Sequence, residues 1–291
     1  MNKVTQDNHH ARRWGARLLT FLCLFLAAQQ LSAQSYDEWV NRAVKATEAD
    51  SLSRAVEYLR KAVSADPAHE QNVWVYTNMG YLQCTLQRYD EAMQSYTFAL
   101  NVAPYHVPAL LGRATLYMEL GKLELARVDY SLVLDVEKDH EEALLMRAYI
   151  YKVQRQYKFA EADYKHLLQL RPDHFSARLG MAMLKQSQGE RIESVQLLSV
   201  LITESAQDSE RLALLYRARA EVEWESGRSD NALLDVEQSM KYDATQAEAY
   251  LLRGQIYLSQ EKKSLAKRDF QKAQEFGIPA VELQPLLSKC R

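Results

Sequence analysis

The stretch "LLMRAYIYKVQRQYKFAEADY", Leu144 to Tyr164, decides how this chain is read. Apolar residues recur at helical spacing on both sides of a polar centre near Arg155, so two helices meet at a turn. Arg147 is followed sixteen residues later by Asp163, and the same spacing joins Arg113 to Asp129, Arg219 to Asp235 and Arg253 to Asp269. An active site is usually built once. A feature built four times points to a repeating architecture.

Alignment on Ala92, Ala126, Ala160, Ala232 and Ala266 shows the period. The first three lie 34 residues apart, as do the last two. Extended both ways, seven repeats begin near Tyr36, Val73, Val107, Glu141, Phe175, Ala213 and Ala247. Position eight reads Ala43, Gly80, Ala114, Ala148, Ala182, Ala220 and Gly254. Position twenty reads Ala55, Ala92, Ala126, Ala160, Ser194, Ala232 and Ala266. Two antiparallel helices approach closely only where side chains are small. Larger residues follow at position twenty-four: Leu59, Tyr96, Tyr130, Tyr164, Leu198, Val236 and Phe270. Pro67, Pro104 and Pro172 close three of the second helices, which proline cannot continue.

This pattern resembles the tetratricopeptide repeat family, over about Tyr36 to Pro279. The departures are local: Ser194 and Ala206 in the fifth repeat, Lys138 in the third and Ala46 in the first. The resemblance implies an all-α, right-handed α-solenoid of about seven helical hairpins over 34–291. Residues 280–291 would form a C-terminal capping helix over the last apolar face.

Within such hairpins the arginine is at position seven and the aspartate at twenty-three, equidistant from the turn at fifteen. The spacing therefore predicts structural salt bridges between facing helices. Repeats two and five lack both charges, with Met79 and Met181 at seven and Ser95 and Leu197 at twenty-three. Only the first repeat mismatches, with Arg42 against Tyr58. A half-exposed pair of this kind contributes ~0.2–1 kcal/mol.

The first 33 residues read separately. Lys3, Arg12, Arg13 and Arg17 precede the apolar run Leu18 to Ala28, and "QQLSA" follows. That order predicts a secretory signal peptide over 1–33, cut before Gln34. The implied localisation is the periplasm or cell envelope of a bacterium; an uncleaved N-terminal membrane anchor is the alternative. Cleavage removes four basic residues and Asp7, leaving 32 basic and 37 acidic residues and a net charge of −5. No membrane span is expected in the mature chain. An acidic balance argues against a nucleic-acid partner. Cys84 and Cys290 lie too far apart in sequence to suggest a disulfide framework.

Four histidines, His69, His106, His140 and His174, share position thirty-four of successive repeats. Neighbouring repeats place equivalent residues ~8–10 Å apart, too far for one metal ion. These side chains are expected to accept backbone amides at the start of the next helix. No metal, no cofactor and no catalytic residue is implied, and no phosphate loop or hydrolase signature occurs. What remains is surface for a protein or peptide partner. In the resembled family the first helix of each repeat lines a concave groove. Carried onto this chain, the partner-binding positions are Trp74, Tyr81, Leu111, Met118, Leu145, Tyr149, Leu179, Met183 and Trp224. Polar members include Glu119, Lys152, Arg217, Glu221 and Glu225. The family's carboxylate clamp needs asparagine at position nine, where this chain has Tyr81, Thr115, Tyr149 and Met183. The expected function is a non-catalytic scaffold holding an apolar or helical segment. Self-association through the terminal repeats, and an enzyme or receptor with an unrecognised site, are the other readings.

Overall fold

The computed structural model describes residues 35–290. The leader reading falls on residues outside that range. Among the described residues there are fifteen helices and no strand. They are α1 (35–48), α2 (Leu52–Ala65), α3 (Asn72–Thr85), α4 (Tyr89–Val102), α5 (Val107–Glu119) and α6 (Leu123–Val136) in one compact unit. A second unit, starting at Asp139, holds α7 (Glu141–Val153), α8 (Tyr157–Leu170), α9 (Phe175–Ser187), α10 (Arg191–Glu204), α11 (Ser209–Glu225), α12 (Ser229–Tyr242), α13 (Ala247–Ser259), α14 (Lys263–Glu275) and α15 (Ala280–Lys289). The all-α class expected from the sequence is the observed one. Odd and even helices pair as hairpins: α3 with α4, α5 with α6, α7 with α8, α9 with α10, α11 with α12 and α13 with α14. Successive first helices also touch, α3 with α5, α7 with α9 and α11 with α13.

The hairpin turns share one backbone solution. Gly121, Gly189 and Gly227 have positive φ, and so do Asp50, Gln87, Arg155 and Glu261 at the same place in the other four repeats. The residue after the turn donates its amide five residues back, as Gln156 does to the Tyr151 carbonyl at 2.8 Å. This closure of the helix end works with or without glycine, although a side chain there carries a steric cost.

The small residues at positions eight and twenty are buried throughout. The large residue at twenty-four occupies the space they leave. A Cβ on Gly80 would meet the Tyr96 ring at 2.7 Å, and one on Gly112 would meet it at 2.6 Å. Gly112 belongs to the next repeat, so one ring fills the gap within its hairpin and against its neighbour. At the C-terminal end Leu283 of α15 is fully buried with Ala266, Phe270 and Ala273, covering the apolar edge that α14 would otherwise expose.

All four arginine–aspartate pairs are formed and bidentate. Arg147 donates from Nε to Asp163 Oδ2 and from Nη2 to Oδ1, both at 2.8 Å. Arg113 meets Asp129 at 2.8 and 2.7 Å, Arg219 meets Asp235 at 2.8 and 2.7 Å, and Arg253 meets Asp269 at 2.8 and 2.9 Å. The burial differs from a half-exposed pair. The aspartates are buried while each arginine stays about a fifth exposed. The surface-pair magnitude therefore does not apply, because losing the arginine strands a buried carboxylate. Where the charges are missing, other contacts fill the place. Ser95 donates to Gln83 at 2.7 Å in the second repeat, and Leu197 packs on the Leu198 and Leu201 cluster in the fifth.

A prediction separates the two magnitudes. Arg147→Met alone should lower unfolding stability by about 3–5 kcal/mol. Arg147→Met with Asp163→Leu, copying Met181 and Leu197, should recover most of that loss in denaturant titrations. A single variant costing no more than a surface pair would refute the buried-carboxylate account.

Candidate partner-binding surface

In the first unit the candidate surface is carried by α1, α3 and α5. Trp74 and Tyr81 lie seven residues apart on α3, so both project from one face. They are 52% and 67% exposed. With Val40, Val44 and Asn78 they line an open cleft of about 400 Å³. None of the fourteen residues of α3 is charged. The Trp74 ring stands edge-on against His106, with centroids 4.3 Å apart. Leu111 and Met118 on α5 are half-buried and do not line this cleft.

In the second unit Tyr149 is 42% exposed, and the Lys152 ammonium lies 5.4 Å over its ring. Burial pushes the Lys152 amine below the ordinary lysine range. Leu145 is half-buried one turn away. Leu179 and Met183 are half-buried against Ala182, Leu198 and Leu215, and Trp224 against Ala220, Val236 and Ile256. Arg217 pairs with Glu221 at 2.6 Å, one helical turn along α11. Burial pushes the Glu221 carboxyl up, and the Arg217 charge opposes it. Of the nine carried-over positions, Trp74, Tyr81 and Tyr149 are open to solvent, while the other six are half-buried.

The histidines at the repeat boundaries face backbone. His140 Nδ1 accepts the Ala143 amide at 3.3 Å, His174 Nδ1 the Ala177 amide at 3.2 Å, and His69 Nδ1 the Gln71 amide at 3.2 Å. Asp208 serves the Arg211 amide in the same way at 3.0 Å. His106 departs from this. It precedes a helix with proline in its first turn, caps no amide, and has a buried Nε2 without a partner. Among the described residues no three His, Cys, Asp or Glu side chains gather to hold a metal ion.

Comparison with known proteins places this geometry. A family model described as tetratricopeptide repeat matches residues 141–174 and 247–276. The crystal structure of a tetratricopeptide repeat protein from Parabacteroides merdae ATCC 43184 is 33% identical, with a TM-score of 0.79, covering 88% of this chain and 99% of that one. The chain belongs to the tetratricopeptide repeat family. More distant repeat proteins share the fold alone. PilW, described as a widely conserved type IV pilus biogenesis factor, is 18% identical at TM-score 0.62, covering 75% of this chain and 97% of its own. YrrB, described as having an unusual peptide-binding site, is 14% identical at TM-score 0.52, covering 67% and 96%. No curated protein sequence matches this tetratricopeptide repeat chain significantly.

Sequence reading of the repeats had no signal for two features of this surface. One is the Trp74–His106 contact, because His106 looks like the other boundary histidines until Pro108 is considered. The other is Glu48, which lines the cleft beside Trp74 and Tyr81 from a helix of the first repeat.

The His106 environment gives a pH prediction. Burial lowers its imidazole pKa, so the folded state holds the neutral ring. A group depressed on folding contributes stability above its unfolded pKa, here roughly 6.5, and loses it as pH falls further. Acidification toward about pH 5 should lower the melting temperature more in the parent than in His106→Asn. Equal falls would remove His106 as a source of acid sensitivity.

Proposed function

We propose that the chain is a non-catalytic protein-interaction scaffold of the bacterial cell envelope, which holds a segment of a partner protein against the exposed faces of its first helices. One observation carries the reading. Trp74 and Tyr81 remain more than half exposed around an open cleft, whereas the large residues at position twenty-four are buried. Exposed aromatics supply large contact area at low entropic cost and are frequent hot spots. The cleft shape suits side chains of an extended or helical segment.

The test compares Trp74→Ala and Tyr149→Ala with the parent. Each should leave the melting temperature and helical content nearly unchanged and weaken capture of envelope proteins crosslinked to the parent. A loss of about 3–5 kcal/mol in stability, as for buried aromatics, would assign them to packing instead.

The envelope location rests on the basic, apolar and small-residue order of residues 1–33. Among the described residues, no helix is long and apolar enough to cross a membrane. The mature protein should begin at Gln34 by intact-mass measurement. A cytoplasmic product that retains residues 1–33 would overturn export.

A further inference from the structure

The cleft of the first unit has a chemistry that its aromatic lining alone does not describe. Glu48 lines it together with Val44, Thr47, Trp74, Asn78 and Tyr81, and no lysine or arginine does. Glu48 is exposed and makes no ion pair among the described residues. On the same helix Arg42 is engaged by Glu38, and Lys45 does not line the cleft. The cleft is therefore aromatic on its walls and carries one carboxylate, with no cation among its lining residues.

From this we infer that the cleft takes a basic side chain, arginine or lysine, flanked by apolar residues in the partner segment. The inference rests on the groove reading proposed above. A purely apolar segment laid across Trp74 and Tyr81 would desolvate Glu48 with no cation among the lining residues to pair it. An acidic segment would meet like charge at the rim. A basic side chain resolves both constraints. Its aliphatic stem covers the rings, its cationic head lies against their faces, and the head meets the carboxylate. Arginine fits best, since its planar guanidinium stacks on an aromatic face while donating to a carboxylate.

The experiment pans a displayed library of random short peptides on the immobilised full chain. Enriched sequences are then synthesised and their affinities measured by fluorescence anisotropy. Peptides whose binding needs Trp74, by comparison with Trp74→Ala, should carry arginine or lysine beside an apolar residue. Glu48→Gln, an exposed change that leaves the fold intact by circular dichroism, should weaken them about five- to tenfold at low salt. Replacing the peptide's basic residue with leucine should weaken binding similarly and make Glu48→Gln silent. Trp74-dependent peptides lacking basic residues, or indifferent to Glu48→Gln, would overturn the cationic inference and leave the groove reading standing. Enrichment of no Trp74-dependent peptide would overturn both.

Discussion

Everything in this architecture depends on how closely the two helices of a hairpin approach. That distance is set where the residues at positions eight and twenty are small and a larger side chain at position twenty-four, aromatic in four repeats, fills the remaining space. Tyr96 shows the constraint from both sides, since a Cβ on Gly80 or Gly112 would overlap its ring. Tyr164 does the same over Gly180, and Phe270 over Gly254. With Tyr96 and Tyr164 the ring serves its own hairpin and the next one at once. The packing energy is thus shared across repeat boundaries. A single hairpin would leave half of each ring's contact surface in water, which is why such repeats stabilise one another in series.

Close approach alone does not settle register, because apolar contacts are non-directional. The bidentate arginine–aspartate pairs supply direction. A planar guanidinium donates both bonds to a carboxylate only when the two groups are aligned, and displacing one helix along the other would strand a buried aspartate. Repeats two and five manage without the charges, through Ser95 with Gln83 and through Met181 and Leu197. Repeat five lies between the paired repeats four and six, and repeat two adjoins the paired repeat three, so the series tolerates repeats without the pair beside pinned ones. The pair therefore serves specificity at least as much as stability, consistent with the break-even energetics of buried ion pairs.

The helical hairpins were legible in the sequence because small residues and a fixed period leave a pattern that no other fold demands. The ion pairs were legible for the same reason, as a correlated presence and absence of two charges. Their burial was not, because spacing says which residues face each other and nothing about what covers them. The left-handed turn residues were only partly readable. Gly121, Gly189 and Gly227 announce the turn, but Gln87, Arg155 and Glu261 adopt the same conformation without a compositional sign. There the two packed helices impose the turn on whatever residue occupies it. The surface was the least legible part. Trp74, Leu179 and Trp224 were equivalent candidates by position, and only the structure separates the exposed ring from the two that also pack inward.

That separation follows from how the repeat uses its positions. Eight, twenty and twenty-four set helix approach, seven and twenty-three set register, and fifteen makes the turn. Positions two, nine and twelve of the first helix carry no fixed residue type, and their duty differs from repeat to repeat: Trp74, Tyr81 and Tyr149 are exposed, while Met183 and Trp224 pack on their core clusters. Residue choice there is free to differ from repeat to repeat, and it does. The first unit presents Trp74 and Tyr81 on a helix with no charge, whereas the second presents Tyr149 with Lys152 and the paired Arg217 and Glu221. The two units therefore expose different chemistries to solvent. A ligand group that suits the aromatic and acidic cleft of the first unit has no counterpart beside Lys152, where a cation already covers the ring. On the scaffold reading proposed above, each unit makes its own locally distinct contacts, and substitutions in one unit's face should alter only the contacts made there.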